Sequence, residues 1–386
     1  MTPTAAVRDR MDATTIDVPP GLAGVVVAET ELGDVRGLEG FYHYREYSAV
    51  ELARTHSVEE VWRLMLDGAL PDAGEADRFA AEVRARRELP AALDDALPQV
   101  AALTAGADAL AGLRASLPLL AGAHGLRPLY DEDPGQRRRD ALVVGAAVPA
   151  ILAALWRHAN GDTPVPSRTD LDHAADYLWM LTGTEPSERA RAAINAYLVS
   201  TIDHGFNAST FTARVVASTG ADLGAVVTAA LGSLSGPLHG GAPRRALQLL
   251  DLGSAERAAS YVREQVAAGG RIMGFGHAVY RTEDPRSALM KEIARGFGGP
   301  RVELAIEIEA AVLETLEEVK PGRALRTNVE FYAALVMEAA GIPPQMFTAT
   351  FAVARVLGWT AHALEQAASG KIIRPASRYV GPPVRR

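Results

Sequence analysis

The chain has 386 residues and no cysteine, 48% of its residues are hydrophobic, and its formal net charge is −8 at pH 7. This composition fits a globular protein with a large core, long enough for two domains. It excludes disulfides, thiolate metal sites and a thiol nucleophile. Nucleic-acid binding is disfavoured because no basic block accompanies an aromatic stripe.

Residues 1–21 contain no apolar core of the kind that signal peptides have, so we expect no signal peptide. The longest apolar stretch, residues 141–156, contains Pro149 and is shorter than the roughly 18–20 residues that cross a bilayer. We expect this stretch to be a buried helix of a protein that does not associate with membranes. The absence of cysteine is compatible with the reducing cytoplasm, where we expect the protein to lie.

Apolar residues recur with the 3.6-residue period of helices along most of the chain, which predicts an all-α fold. Ser57 begins a capping-box sequence, and Gly68 ends the helix predicted after it. Ser187 marks the start of another helix. A long apolar helix is predicted after Pro343, and it stops near Gly370.

Few segments alternate as strands do. The best candidates are residues 25–27 and 42–44, which predict a short N-terminal hairpin or ribbon. Residues 68–138 are rich in Ala, Asp, Pro and Arg, and they predict short surface helices and loops with a turn at 131–135. No internal repeat is evident.

Residues 274–286 form the most informative run of the chain. It places His277 after two glycines, then Arg281 and Arg286. The imidazole can polarise a carbonyl, the guanidinium groups can bind carboxylate or phosphate, and the glycines allow the backbone to approach a ligand closely. The run therefore indicates a small polyanionic substrate.

Two further histidines lie in unusual sequences. His204 is in residues 203–211, and His239 is preceded by Gly-Pro-Leu and followed by two glycines. Turns of this kind can present a ring to a cleft. Arg355 lies in an apolar helix, where a buried guanidinium needs a partner that a substrate carboxylate would supply. No HxxxH or HExxH pattern is present, so we expect no metal site.

The remaining six histidines have no such surroundings, and we expect surface or core roles for them. They are His43, His56, His124, His158, His173 and His362.

Five motifs in order resemble the citrate synthase family: residues 203–214, 236–242, 274–286, 328–332 and 373–379. The start, residues 21–30, resembles the entry segment of that family, so the resemblance extends over nearly the whole chain. Residues 274–286 fit the family signature at every constrained position. The type it resembles most is the second citrate synthase of actinobacteria.

The resemblance implies an all-α fold of two domains. A large helical domain would comprise residues 1–240 and 331–386, and a small mobile domain, residues 241–330, would close over the active site. It also implies a homodimer in which Arg374 is donated across the interface to the partner's site.

The implied reaction condenses acetyl-CoA with oxaloacetate and water to give citrate and CoA, through enolisation of the acetyl thioester. By match to the family, His239 would hydrogen-bond the thioester oxygen and His277 would polarise the ketone of oxaloacetate. Glu330 would be the catalytic base. The chemistry requires such a base and such donors, because a methyl group beside a thioester must lose a proton.

The residues that the resemblance assigns to oxaloacetate are His204, His277, Arg286, Arg355 and Arg374. Those assigned to CoA are the adenine-binding loop with Arg271, Ile272, Met273, Gly274 and Gly276, together with Arg281 on the phosphates. No metal or tightly held cofactor is implied, since CoA arrives as part of a substrate.

The main departure from the family is Glu330, since the base is usually aspartate in an Asn-Val-Asp-Phe-Tyr sequence. Glutamate has one more methylene, and a misplacement of about 1 Å can cost on the order of 10²-fold in rate. Either the helix is repositioned and Glu330 is the base, or the protein is slow and does something else. We favour the first, because the other matched polar residues are present. Milder departures lie at residues 44–46, 105–108 and 278.

Two alternatives remain open at this point. The chain could be a 2-methylcitrate synthase that uses propionyl-CoA, because one methyl group is worth only about 1–3 kcal/mol of discrimination. It could instead be a non-catalytic regulatory protein that binds CoA or a dicarboxylate, a possibility that Glu330 leaves open.

Overall fold

The structure is a computed structural model that describes residues 15–104, 109–239, 243–277, 279–323 and 325–384. The described residues form seventeen α-helices and one small sheet. The prediction of an all-α fold is therefore confirmed, with the sheet as a minor addition. The milder departures at 105–108 and 278 lie outside the described residues, as does the end of the 236–242 motif.

The sheet is an antiparallel meander in the order β1-β2-β3, with β1 at Gly33–Arg36, β2 at Phe41–Tyr44 and β3 at Tyr47–Ser48. The strand predicted at 42–44 is confirmed. The strand predicted at 25–27 is wrong: these residues follow a 3₁₀ turn at Pro20–Leu22 and pair with no strand in the described chain. Val26 is 86% exposed, so its β-branched side chain has no core to enter.

The ribbon is anchored beside the segment that contains His204. The hydroxyl of Tyr42 donates to the carbonyl of Ser200 at 2.9 Å, and that of Tyr44 donates to the carbonyl of Asp203 at 3.0 Å. Both rings are fully buried. Because a buried phenol needs an acceptor, these bonds fix the ribbon against the end of one helix.

The helices follow in chain order: α1 (Ala49–Thr55), α2 (Val58–Asp67), α3 (Ala73–Arg84), α4 (Ala91–Asp94), α5 (Leu97–Thr104), α6 (Ala109–His124), α7 (Pro134–Ala159), α8 (His173–Thr182), α9 (Glu188–Thr201), α10 (Ala208–Ala217), α11 (Leu223–Leu234), α12 (Pro243–Asp251), α13 (Ala255–Ala267), α14 (Pro285–Phe297), α15 (Pro300–Val319), α16 (Val329–Ala339) and α17 (Phe347–Ser369).

The predicted helix ends are confirmed where a capping residue marks them. The side chain of Ser57 accepts the backbone amide of Glu60, and the side chain of Glu60 accepts the backbone amide of Ser57. Gly68 ends α2 with a φ of 87°. Ser187 caps α9, and Gly370 ends α17 in the left-handed region. Side-chain caps and left-handed glycines act locally, which is why sequence alone places them.

The prediction for residues 68–138 is partly wrong. Short helices are present, but α6 is sixteen residues long and buries a stripe of leucines against α7 and α11: Leu110, Leu113, Leu117 and Leu120. The predicted turn at 131–135 is the start of α7, because Asp133 caps that helix and Pro134 takes its first position.

Two long helices, α7 and α17, pack against each other at the centre of the core. In length and composition α7 could cross a membrane, but 78% of its most apolar window is buried inside the protein. The prediction of a buried helix at 141–156 is therefore confirmed. Elsewhere in the chain, α13 packs on α15 and α14 packs on α16. The division at residues 240 and 330 stays a prediction.

A glycine in α17 allows the close approach of α9. A Cβ atom at Gly358 would lie 2.2 Å from the carbonyl oxygen of Ile202. The neighbouring contact joins Arg355 to Thr201, since the Nε of Arg355 donates to the carbonyl of Thr201 at 3.0 Å. The small residue thus sets the distance between these two helices at the point where they meet the site.

We expect Gly358→Ala to lower the free energy of unfolding by about 1–3 kcal/mol, because overpacking forces the two helices apart. The matched control is Gly232→Ala in α11, where a Cβ would meet nothing within 4 Å. That change should raise the free energy of unfolding by about 0.5–1 kcal/mol. Denaturant titration measures both, and an equal effect of the two changes would contradict the close packing at Gly358.

Candidate active site

A cavity of about 480 Å³ lies where the ribbon, α14, α16 and α17 meet. Six residues predicted from the sequence line it together, although they are distant in the chain: His204, His239, His277, Arg286, Glu330 and Arg355. A concave site with a few convergent polar groups is the usual form of a ligand pocket.

His204 lies just beyond the end of α9, among other rings. Its Nε2 atom is 2.9 Å from the hydroxyl of Tyr280, and its ring centre is 5.5 Å from that of His277. Burial, followed by the nearby guanidinium of Arg286, lowers the pKa of His204 well below its ordinary value. The ring is therefore neutral at physiological pH.

His277 is held by the backbone that follows it. Its Nδ1 atom accepts the amide of Val279 at 2.9 Å and that of Tyr280 at 3.1 Å. Burial and then Arg286 lower its pKa to about 4, so the ring is neutral. Since Nδ1 is an acceptor, the one proton of the neutral ring lies on Nε2. This tautomer can donate a hydrogen bond to a carbonyl oxygen.

Arg286 is held by the carboxylate of Asp284, the residue that caps the helix on which Arg286 lies. Asp284 caps α14 and accepts both the Nε of Arg286 at 3.1 Å and its Nη2 at 2.9 Å. Burial alone would lower the pKa of Arg286, but Asp284 outweighs it and keeps the pKa above the ordinary value. Nη2 of Arg286 also lies 3.2 Å from Nε2 of His277. Since a guanidinium can only donate and Nε2 carries the ring proton, the two groups present neighbouring donors to one point and do not bond to each other.

Arg355 is only 2% exposed, and its partners are a backbone carbonyl and an aromatic face. Besides Thr201, it lies over the ring of Phe351, 4.6 Å from the ring centre. In the described part of the chain no carboxylate lies within 4.0 Å of its nitrogens. Burial lowers the pKa of Arg355 below its ordinary value. The buried carboxylate of Asp203 partly opposes this lowering from a longer distance. Because no direct ion pair forms, Arg355 can pair with an anionic ligand.

Glu330 is the second residue of α16, in a segment tied to the loop of residues 274–276. Asn328 caps the helix by accepting the amide of Glu330 at 3.0 Å, and its own amide donates to the carbonyl of Gly274 at 2.9 Å. Burial raises the pKa of Glu330 to about 7, although Arg286 opposes the rise. A carboxyl group with this pKa can exchange protons near neutral pH.

His239 faces the same cavity from the end of α11. Its Nε2 atom is 2.8 Å from the hydroxyl of Ser209, and burial lowers its pKa to about 4. The hydroxyl of Ser209 donates to Oδ1 of Asn207 at 2.8 Å, so its oxygen accepts from Nε2 of His239 in this arrangement. A turn of that hydroxyl toward Nε2 would move the ring proton to Nδ1 and let the ring donate from that edge.

A second cavity, of about 550 Å³, adjoins the first. The five loop residues assigned to CoA all line it: Arg271, Ile272, Met273, Gly274 and Gly276. Three residues line both cavities, namely His277, Asn328 and Glu330. Glu330 therefore lies at the junction of the two.

Two other predicted residues do not join these groups. Arg281 is exposed and is attached to the ribbon by its amide, which donates to the carbonyl of Gly37 at 3.0 Å. Arg374 is exposed and lines a separate groove of about 1180 Å³, formed by the segments near both ends of the described chain. Within the described chain neither one lines the cavity that contains Glu330.

Sequence reasoning missed several residues of the site. Lys320 and Arg323 line the second cavity, but their Lys-Pro-Gly-Arg sequence is that of an ordinary solvated turn. Asp284 and Ser209 had a signal, because each is a small polar residue next to a helix start within a matched motif. No group of three or more His, Asp or Glu suited to a metal ion occurs among residues that the structure describes.

Comparison with known proteins bears directly on this site. The family model described as citrate synthase, C-terminal domain, matches residues 21–376. The chain belongs to the citrate synthase family. It is therefore an enzyme of the citrate synthase type, and the resemblance read from five motifs is confirmed.

Relatives within the family agree over almost the full length. A putative citrate synthase 2 of Mycobacterium tuberculosis is 40% identical, over 94% of this chain and 93% of that protein. A 2-methylcitrate synthase of Shewanella oneidensis is 34% identical, over 94% of each. The structure of Thermoplasma acidophilum citrate synthase in a ternary complex with carboxymethyl coenzyme A and oxaloacetate is 29% identical in sequence. The match covers 94% of this chain and 96% of that one, with a TM-score of 0.85.

We expect Arg355→Met to change the free energy of unfolding by no more than about 1 kcal/mol, because it removes a buried charge that makes no direct ion pair. The control is Arg214→Met. Arg214 is equally buried but pairs with Glu365, so this change strands a charge and should cost about 3–5 kcal/mol. Thermal and denaturant unfolding compare the two, and a large loss in Arg355→Met would contradict the absence of a direct ion pair at Arg355.

Proposed function

We propose that this chain condenses acetyl-CoA with oxaloacetate and water to give citrate and CoA. The observation that supports this most is the position of Glu330, which lines both the cavity with the two arginines and the cavity of the glycine loop. A base at this junction can take a proton from one substrate and leave the resulting carbon nucleophile facing the other.

Oxaloacetate fits the chemistry of the first cavity. Its two carboxylates would pair with Arg286 and Arg355, and its ketone oxygen would accept the Nε2 proton of His277. His204 supports the same role, because a neutral ring beside two cations does not repel them. Each of these groups is held by the protein before the ligand arrives, which favours transition-state stabilisation without reorganisation.

Acetyl-CoA would occupy the second cavity, with the glycine loop at its adenine and Lys320 and Arg323 near its phosphates. The carboxylate of Glu330 takes a proton from the acetyl methyl group while His239 donates a hydrogen bond to the thioester oxygen. The enol carbon then attacks the ketone carbon, and the ketone oxygen takes the proton from His277. Water hydrolyses the citryl thioester, releasing citrate and the CoA thiol.

The longer side chain of Glu330 is compatible with this role. Its carboxylate accepts a hydrogen bond from the Gly274 backbone, and its helix start is fixed by Asn328. The bond from Gly274 holds the carboxylate and the cap by Asn328 holds the backbone of Glu330. Because both ends of the side chain are held, the extra methylene does not leave the position of the carboxylate undefined.

We also propose that the enzyme is a homodimer in which Arg374 completes the partner's site. Arg374 is exposed beside a groove lined by both charged and apolar residues, and exposed apolar residues lie on the end segments around it. Large exposed apolar patches mark interfaces. The exposed apolar residues of the two end segments are Ile16, Val18, Val26, Ile372, Val380 and Val384. We further propose that the enzyme is cytoplasmic, acts in the tricarboxylic acid cycle and has no resident cofactor.

A second candidate is 2-methylcitrate synthase, which the relative from Shewanella oneidensis favours. Both reactions need the same base, the same ketone donor and the same carboxylate clamps. They differ in one methyl group beside Glu330 and His239, so only the acyl preference separates them.

We expect a kcat/KM for acetyl-CoA about 10–200-fold above that for propionyl-CoA, because discrimination by one methyl group is worth about 1–3 kcal/mol. Release of the CoA thiol in the presence of oxaloacetate measures both. A preference for propionyl-CoA would favour the 2-methylcitrate reaction. If neither acyl-CoA reacts while calorimetry shows oxaloacetate binding, the protein is a non-catalytic binder and the proposal fails.

Glu330 should also set the pH dependence. Below its pKa of about 7 the carboxyl is protonated and accepts no proton, so kcat should fall about tenfold per pH unit on the acid side. Glu330→Gln should lower kcat by about 10²–10⁴-fold with oxaloacetate affinity retained. The control is Glu338→Gln, at the far end of α16. Lost oxaloacetate binding with intact condensation in Glu330→Gln would contradict the assignment of the base.

A further inference from the structure

Glu309, on α15, is a buried carboxylate that lines neither cavity in the described chain. It is 8% exposed and accepts three donors at short distances. Its Oε1 atom accepts the hydroxyl of Thr327 at 2.7 Å, and its Oε2 atom accepts the hydroxyl of Tyr332 at 2.6 Å and the ammonium of Lys291 at 2.5 Å.

Two of these donors lie on either side of Glu330. Thr327 comes three residues before it and Tyr332 two residues after it, and both are buried. One carboxylate thus holds both ends of the segment in which α16 begins. Both bonds are short and join a hydroxyl to a carboxylate oxygen, which is the geometry of strong hydrogen bonds.

The same segment is attached to the loop of the second cavity. Thr327 forms an antiparallel bridge with Phe275, and the amide of Gly276 donates to the carbonyl of Arg326 at 2.7 Å. Glu309 therefore lies behind both the base and the loop proposed to bind CoA, and it fixes them relative to α15.

The donors around position 309 need a carboxylate as their acceptor. Lys291 reaches it from α14, and its ammonium also lies 5.5 Å from the ring centre of Tyr332. Burial, and then the bond to Glu309, raise the pKa of Tyr332, so its hydroxyl remains a donor. An apolar residue at position 309 would leave Lys291 and two buried hydroxyls without their common acceptor.

We propose that Glu309 is a positioning residue that holds Glu330 at the distance and direction needed for proton abstraction. The inference rests on the proposed condensation. Glu330 has one more side-chain torsion than the aspartate usual in the family, so the position of its carboxylate depends more on a fixed backbone at residues 327–332. If this backbone becomes mobile, the carboxylate is displaced and water enters beside it.

The test compares Glu309→Ala and Glu309→Gln with wild type. We expect Glu309→Ala to lower kcat on the order of 10²-fold, the size expected for a misplacement of about 1 Å, with the KM for oxaloacetate changed less than about threefold. The acid limb of the kcat profile should move below pH 7, because water around Glu330 lowers its pKa toward the ordinary value. Glu309→Gln keeps an acceptor oxygen and should be intermediate.

The control is Glu59→Gln. Glu59 is also a buried carboxylate, bonded to Arg87 and to the amide of His173, and it lines neither cavity in the described chain. The Glu59→Gln change should lower the unfolding temperature without moving the acid limb of the pH profile of kcat. If the Glu309 variants do the same, and kcat of the folded protein is unchanged, Glu309 is structural only and the inference is overturned. Should Glu309→Ala not fold, Tyr332→Phe removes one of the three bonds and should show a smaller shift in the same direction.

Hydrogen exchange separates this inference from the proposed function. In Glu309→Ala, peptides covering residues 326–333 and 272–277 should exchange faster, while those from α7 should not. Unchanged exchange would show that Glu309 does not hold the segment. Absence of turnover in wild type would overturn the condensation and the rate effect, and the exchange result would still decide whether Glu309 fixes this segment.

Discussion

Asp284 accepts hydrogen bonds from the starts of two helices at once. It caps α14, takes both guanidinium bonds of Arg286, and its Oδ2 atom also accepts the amide of Val329 at 3.1 Å, at the first residue of α16. The anion-binding group and the helix of Glu330 are thereby fixed to each other by one buried carboxylate. Burial would raise the pKa of Asp284, but Arg286 outweighs it and keeps the group ionised.

The three histidines around this centre are neutral for a common reason. His204, His239 and His277 are buried, and each lies near the positive charge of Arg286 or Arg355. A second positive charge on any ring would therefore be costly. The rings are neutral hydrogen-bonding groups, while Glu330, with its pKa raised to about 7, is the group that can change its protonation near neutral pH.

Local signals allowed the helix ends at Ser57, Ser187 and Gly370 to be predicted, because a cap is satisfied by residues within one turn. The strand at 25–27 failed because a strand needs a partner that local sequence does not specify. That His204, His239 and His277 share one cavity could be anticipated only through the family resemblance, since no local rule brings distant segments together. Glu309 gave no signal, because its role depends on the contact of α15 with residues 327–332.

Arg355 is a buried cation whose direct partners are uncharged, and the carboxylate of Asp203 acts on it only from a longer distance. Its buried guanidinium lies beside an aromatic ring and a backbone carbonyl, where water and counter-ions have little access. A carboxylate that enters the cavity can form the direct ion pair that Arg355 lacks within the described chain. By linkage, such a ligand stabilises the folded state by an amount that grows with its concentration over its dissociation constant. The substrate is then part of what makes this enzyme stable, and the resting stability of the protein reports how much of it is present.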